Sequence, residues 1–295
     1  MSYVASPSVR SYAAQKGVDL DQLAQVSGRE TLAREDVDQA AGGGAPMAAA
    51  GPNHRRYWQV DHSEYGSVSQ EPLSRVARFT ADNLSAANAM IPQVTHHDTA
   101  DMRAVEALRT SLREEATARG IKLTALAFHV KALARCLREF ERFNASLSPD
   151  GDILILKDFV HIGIAVDTPH GLLVPVLRDA DRLGLWEISA RINDLAKRAQ
   201  ARKIGPDEMG GASMTISNLG GLGGSAFTPI VNPPEVAILG LTRTTLQPVW
   251  QGEWVPVPVC PLDLSYDHRV INGADAARFL ARYSQLIADP RRLLI

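Results

Sequence analysis

Residues 40–52 read AAGGGAPMAAAGP, with no charge, three consecutive glycines and no large apolar side chain except Met47. Such a stretch has nothing to bury and behaves as a flexible tether, so the chain cannot fold as one continuous body. It is expected to divide unequally into a short unit over 6–39, a linker over 40–56 and one large domain over 57–295. The short unit falls below the ~40 residues at which an unaided core becomes marginal, which suits a docking module better than an enzyme. At 45% hydrophobic and 22% charged, the chain as a whole has the composition of a folded protein rather than a disordered one.

The same arithmetic excludes several classes. No window approaches the ~18 uninterrupted apolar residues of a membrane span, and the opening MSYVASPSVRSY has no apolar signal-peptide core, so a cytoplasmic location is expected. A net charge of −2 offers no basic surface for nucleic acid or an anionic membrane. Cys136 and Cys260 stand far apart without CxxC spacing, which leaves two small buried hydrophobes and no disulfide framework.

In the short unit, Ser6-Pro7 is a helix start, Val9, Tyr12 and Ala13 follow at helical spacing, and Gly17 is a stop. A second start lies at Asp19, and LAREDVDQA closes the unit. In the large domain, helices are expected over 98–120, after Thr124, over 185–202 and over 273–288. Strands are expected at ILILK, VHIGIAV, LLVPVL, SMTIS, EVAILGL and VCPLDLSY. Helices and strands interleave while DTPHG makes a hairpin turn, so the fold class is α/β: a two-layer domain on a mixed sheet.

Among eight histidines, His129 lies between apolar neighbours in a helix and reads as a core residue. His96 and His97 are adjacent, point different ways and have no ligand partner at metal spacing, so no metal is expected. His268 differs. It follows a strand in SYDHRVINGADAARF (265–279), beside an Asn272-Gly273 turn that precedes a helix, a place suited to a general base. A second constellation, TISNLGGLGGSAFTPIVNPPEVAILG (215–240), runs from a strand into a loop with Gly220, Gly221, Gly223 and Gly224. No Lys-Ser/Thr pair or amphipathic helix follows, so this is not a nucleotide loop. Its glycines let the backbone turn sharply and approach a ligand. By position alone, Ser217 is either a turn-capping residue or a donor to an oxyanion.

SYDHRVINGADAARF, TISNLGGLGGSAFTPIVNPPEVAILG and VHIGIAVDTPHGLLVPV together resemble the catalytic domain of dihydrolipoamide acyltransferases, the cores of 2-oxo-acid dehydrogenase complexes, over about residues 66–295. The stretches around 228–240 and 265–279 are most similar to pyruvate-type members. The resemblance implies a chloramphenicol-acetyltransferase-like fold, assembly as a homotrimer within a larger cubic or icosahedral shell, and active sites between neighbouring subunits. It implies coenzyme A as a substrate, with no residue assigned to it, and a dihydrolipoyl arm as the other. His268 matches the family's catalytic histidine, and Ser217 the hydroxyl that donates to the oxyanion. Asn272 stands where most members carry Asp; its amide fixes the turn but cannot be a charged partner to the imidazolium.

The segment SPSVRSYAAQKGVDLDQLAQVSGRETLAREDV resembles the peripheral subunit-binding domain, a small all-α module that holds the decarboxylase or dihydrolipoamide dehydrogenase component through basic side chains. Arg10 is the best match, with Lys16, Arg29 and Arg34 beside it. The loop before Arg29 is shorter than the family's, and these four cations are outweighed by Asp19, Asp21, Glu30, Glu35, Asp36 and Asp38. The family's lipoyl-bearing Asp-Lys-Ala hairpin is not found, so the lipoyl group is expected from another domain or chain. The alternatives are a non-catalytic scaffold, another acyl group (succinyl or branched-chain), or a free small-molecule substrate.

Overall fold

The computed structural model describes residues 4–27, 31–32, 34–41, 59–169 and 171–293, in two compact units, Met1–Glu71 and Pro72–Ile295. In the first, strand β1 (Val4–Ala5) leads into helix α1 (Pro7–Lys16). The Ser6 hydroxyl accepts the Val9 N–H at 3.3 Å, and Gly17 leaves the helix left-handed at φ 68°. Helix α2 (Leu20–Ser27) starts where Asp19 accepts the N–H groups of Asp21 and Gln22 at 2.8 and 3.2 Å. Strand β2 (Thr31–Leu32) pairs parallel with β1, and α3 (Arg34–Ala41) follows. Among the described residues up to Ala41, the elements are helices but for this short pair, which ties Val4 and Ala5 to the stretch between α2 and α3. Val9, Ala13, Leu23, Ala24, Leu32 and Val37 make its own core.

The second unit opens with helix α4 (Arg75–Met90), strand β3 (Gln93–Asp101), and helices α5 (Arg103–Ser111), α6 (Arg113–Ala118) and α7 (Ala125–Glu139). A hairpin of β4 (Ala145–Leu147) and β5 (Leu154–Leu156) follows, then β6 (Ile162–Ile164), β7 (Val176–Leu177) and helix α8 (Leu185–Gln200). Strands β8 (Met214–Asn218), β9 (Ala237–Leu241), β10 (Thr245–Trp250) and β11 (Trp254–Asp267) precede helix α9 (Gly273–Ala288). Seven strands form one sheet in the order β10-β11-β9-β8-β6-β7, with β3 also on β11. The β6/β8 and β8/β9 pairs are parallel and the others antiparallel, so the sheet is mixed, as expected.

Helix α4, strand β4 and the first half of β3 have no counterpart in the sequence reading, and two further elements differ from it. The helix expected from residue 98 starts at Arg103, because residues 98–101 continue β3 in register with β11, Asp98 opposite Leu262 and Asp101 opposite Val259. Long-range pairing overrides the local periodicity there. Strand β10 is absent from the sequence reading; the structure puts it at the sheet's edge, Pro248 opposite Pro256, where a missing donor is tolerated.

Strand alternation gives this sheet two different faces. On one, Ile162, Met214, Ile216, Leu239, Leu262 and Leu264 form a single core with residues of α5, α7, α8 and α9, including Val105, Leu133, Ile188 and Phe279. His129 belongs to it: the ring is buried, its Nδ1 lies 2.7 Å from the Tyr283 hydroxyl, and burial pushes its pKa down to about 4. Cys136 and Cys260 are free and buried. The other face carries Thr215, Ser217, Gly240, Asp263 and Ser265, matched across β8, β9 and β11. Part of it is covered by Ala87 of α4, Ile91 and Val231, which pack on Ile238.

Candidate active site

Ser217 is the penultimate residue of β8, half-buried on the polar face, and its hydroxyl takes no hydrogen-bond partner among the described residues. The chain leaves it in a tight loop. Leu219 N–H bonds to the Leu241 carbonyl at 2.8 Å, and Asn218 Oδ1 accepts the Gly220 N–H at 2.9 Å. Gly223 and Gly224 then adopt φ of 141° and 84°, conformations that a side chain would strain. A nucleotide-cradling loop would open a helix here; the chain instead runs on to β9.

His268 is exposed immediately after β11, and a rigid turn presents it. Asp267, itself buried, accepts from Arg269 through both its backbone and guanidinium N–H groups at 2.6 to 3.1 Å. The Asp267 carbonyl takes the N–H groups of Val270 and Ile271 at 3.0 Å, and the His268 N–H bonds to Pro92 at 3.1 Å. Asn272 Oδ1 accepts the Asp275 N–H at 2.9 Å and caps α9.

One chain does not bring Ser217 and His268 together. Ser217 is level with Gly240 of β9, whereas Asp267 is held to Val236, and β9 lies between β8 and β11. At ~3.3 Å per residue and ~4.8 Å per strand spacing, the two Cα atoms are separated by roughly 18 Å. That exceeds the combined reach of a serine and a histidine.

Two carboxylates of this face, Glu235 and Asp263, have no role in the sequence reading. Glu235, buried just before β9, accepts from the Thr215 hydroxyl at 2.9 Å, while its Oε2 has no partner. Burial raises its pKa to about 7. Asp263 is buried opposite Gly240 and accepts from His97 at 2.6 Å. Their only sequence signal is a charged residue inside an otherwise apolar strand run.

In the small unit, Arg10 Nε donates to the Ala5 carbonyl at 3.1 Å. Lys16 and Arg34 both lie over the Tyr12 ring, at 5.6 and 5.2 Å from its centroid. Asp38 shares the patch, 2.8 Å from the Tyr12 hydroxyl and 3.6 Å from Lys16. Arg29 lies outside the described residues. Among the described residues no three His, Cys, Asp or Glu side chains converge as metal ligands would, and no helix is long and apolar enough to cross a membrane.

The fold is that of an acyltransferase catalytic core. It matches the cubic core of the pyruvate dehydrogenase multienzyme complex with a TM-score of 0.79 and 48% identity, over 80% of this chain and 98% of that one. The chain belongs to the 2-oxoacid dehydrogenases acyltransferase (catalytic domain) family, which matches residues 65–295. A structure from crystallographic and enzymatic work on a serine, a histidine and an asparagine in the catalytic mechanism of Azotobacter vinelandii dihydrolipoamide acetyltransferase matches equally well, at TM-score 0.79 and 48% identity, over 80% of this chain and 98% of that one. The dihydrolipoyllysine-residue acetyltransferase component of the pyruvate dehydrogenase complex of Cupriavidus necator is 45% identical, over 99% of this chain and 55% of its own length. The same component of Bacillus subtilis is 39% identical, over 99% of this chain and 68% of its own. The chain thus spans about half the length of the first of these relatives.

Proposed function

We propose that this chain moves an acetyl group between dihydrolipoamide and coenzyme A, as the core of a 2-oxo-acid dehydrogenase complex of the pyruvate type. The observation that carries the reading is the pair of strand-end groups: an exposed histidine on a locked turn and an unpartnered serine hydroxyl, too far apart to serve one reaction within a chain. In a trimer, His268 of one subunit meets Ser217 of the next. The serine, histidine and asparagine studied in the Azotobacter enzyme are the residue types supplied here by Ser217, His268 and Asn272.

The chemistry runs as follows. An alkyl thiol, with a pKa of ~8.5, is mostly protonated at neutral pH. A neutral imidazole at His268 takes that proton as the sulfur attacks the thioester carbonyl, forming the new C–S bond. The negative charge moves to the carbonyl oxygen, where the Ser217 O–H donates to it. Collapse breaks the old C–S bond, and the leaving thiolate receives the proton back from the imidazolium. Asn272 holds the turn through its cap on α9. The lipoyl group comes from another domain or chain, and a cytoplasmic location, where coenzyme A is held, belongs to the same reading. Residues 6–39 bind a decarboxylase or dihydrolipoamide dehydrogenase component, with Arg10, Lys16, Arg29 and Arg34 contributing.

The test is complementation. His268→Ala and Ser217→Ala chains, each inactive alone, are unfolded together, reassembled and assayed for acetyl transfer from acetyl-CoA to dihydrolipoamide. Random mixing pairs an intact histidine with an intact serine at about a quarter of intersubunit sites, so about a quarter of wild-type activity returns. No recovery in trimers shown by mass to be mixed would overturn the shared site.

A further inference from the structure

Ser217, Gly240, Asp263 and His97 lie side by side across four adjacent strands, β8, β9, β11 and β3. Asp263 is 1% exposed, and each of its carboxylate oxygens has one partner. Oδ1 lies 2.6 Å from His97 Nδ1, and Oδ2 accepts the Phe227 backbone N–H at 3.2 Å. A carboxylate accepts, so the His97 Nδ1–H donates to Asp263, while the His97 side chain is 52% accessible. Phe227 in turn lies on the face of Gly240: a Cβ placed there would come within 2.5 and 2.6 Å of two of its ring atoms. The ring therefore occupies the space that a side chain beside Ser217 would fill.

Phe227 belongs to the loop that leaves Ser217. That loop is fastened at its start by Leu219 to Leu241, and at its end by Val231 N–H to Gln93 Oε1 at 3.0 Å. Between Gly223 and Val231, the Phe227 amide makes the one backbone hydrogen bond found among the described residues.

Resting on the reading of Ser217 as the oxyanion donor, we propose that His97 is a positioning residue: through Asp263 it holds Phe227 on Gly240 and so fixes the loop beside the Ser217 hydroxyl. A buried carboxylate that loses one of its two donors must find another or draw in water; the Phe227 segment then shifts, and small displacements at a reacting centre are costly in rate.

The experiment compares kcat and KM of the full chain for acetyl transfer between acetyl-CoA and dihydrolipoamide. His97→Ala removes the donor, and His97→Asn replaces it with an amide N–H. Gly240→Ala displaces Phe227 by a route independent of His97, and Ser217→Ala is run beside them. Trimer mass and melting temperature are recorded for each. The expected result is a kcat about tenfold lower for His97→Ala and Gly240→Ala with KM within twofold, and a kcat for His97→Asn within about threefold of wild type. His97→Ala at wild-type kcat, or His97→Asn as slow as His97→Ala, overturns the proposal while a slow Ser217→Ala leaves the oxyanion reading standing. A Ser217→Ala chain at near wild-type rate sinks that reading instead, and this proposal with it. Should His97→Ala not assemble, the Gly240→Ala kcat decides.

Discussion

The two faces of the seven-stranded sheet are built to opposite specifications from the same strands. Along β8 the residues alternate Met214, Thr215, Ile216, Ser217; along β11 they alternate Leu262, Asp263, Leu264, Ser265, Tyr266, Asp267. The first set in each strand joins one apolar core with the helices. The second carries hydroxyls and carboxylates, each buried carboxylate held by N–H or O–H donors. One face stabilises the fold, and the other holds polar groups at a fixed level beside the place where acyl transfer is proposed. Damage to one should appear as lost stability with chemistry intact, and damage to the other as the reverse.

The largest expected effect lies beyond the polar face, at His268. His268→Ala should lower kcat by about 10³, within the range for loss of a general base, with an unchanged melting temperature because the side chain is exposed. A loss smaller than tenfold would remove the histidine from the reaction and leave the polar face without its base.

The direct contrast pairs Leu264 with Ser217. Leu264 is fully buried in the core, so Leu264→Ala should cost about 2–5 kcal/mol in urea unfolding while the folded chain keeps its kcat. Ser217→Ala should lower kcat by about 10²–10³ and change stability by no more than about 0.5 kcal/mol. If each variant changed stability and rate together, the division of labour between the faces would fail.

Glu235 sharpens the comparison because it is a polar-face group with a stability cost. Burial raises its pKa from 4.5 to about 7 in the folded chain, so the folded state holds this proton more tightly than the unfolded one. Its contribution is fully present below the unfolded value and is lost as pH rises from about 4.5 to about 7, by up to about 3 kcal/mol. Glu235→Gln cannot lose a proton. Relative to wild type, it should gain stability between pH 5 and pH 8 in urea titrations. Parallel pH curves for the two proteins would show that Glu235 stays ionised, held by the Thr215 hydroxyl and by the charge of Lys157, both of which favour the carboxylate.

Most of this division was legible beforehand, and the reasons are local. Alternation in SMTIS and VCPLDLSY marks half-polar strands, Ser6-Pro7 and Gly17 mark the bounds of α1, and the Asn272-Gly273 turn marks the start of α9, where the Asn272 side chain caps the helix. The strand at 98–101 was not legible, since only pairing with β11 prevents a helix there. His97 and Asp263 are 166 positions apart, and no spacing rule connects them; the antiparallel register of β3 with β11 does. The separation of Ser217 from His268 follows from strand order, which periodicity does not fix.

Asn272 gives the smallest expected effect. Its side chain caps α9 through the Asp275 N–H, and a cap lost to alanine costs about 1 kcal/mol. Asn272→Ala should therefore lower stability by that amount and kcat by less than tenfold, since the Asp267–Arg269 pair still holds the turn. Asn272→Asp keeps an acceptor at the helix start, where a carboxylate is favoured, and should match wild-type stability. Thermal melts read beside kcat separate the cases. An Asn272→Ala chain that melts like wild type yet loses a hundredfold in kcat would move Asn272 from the helix end to the reacting groups.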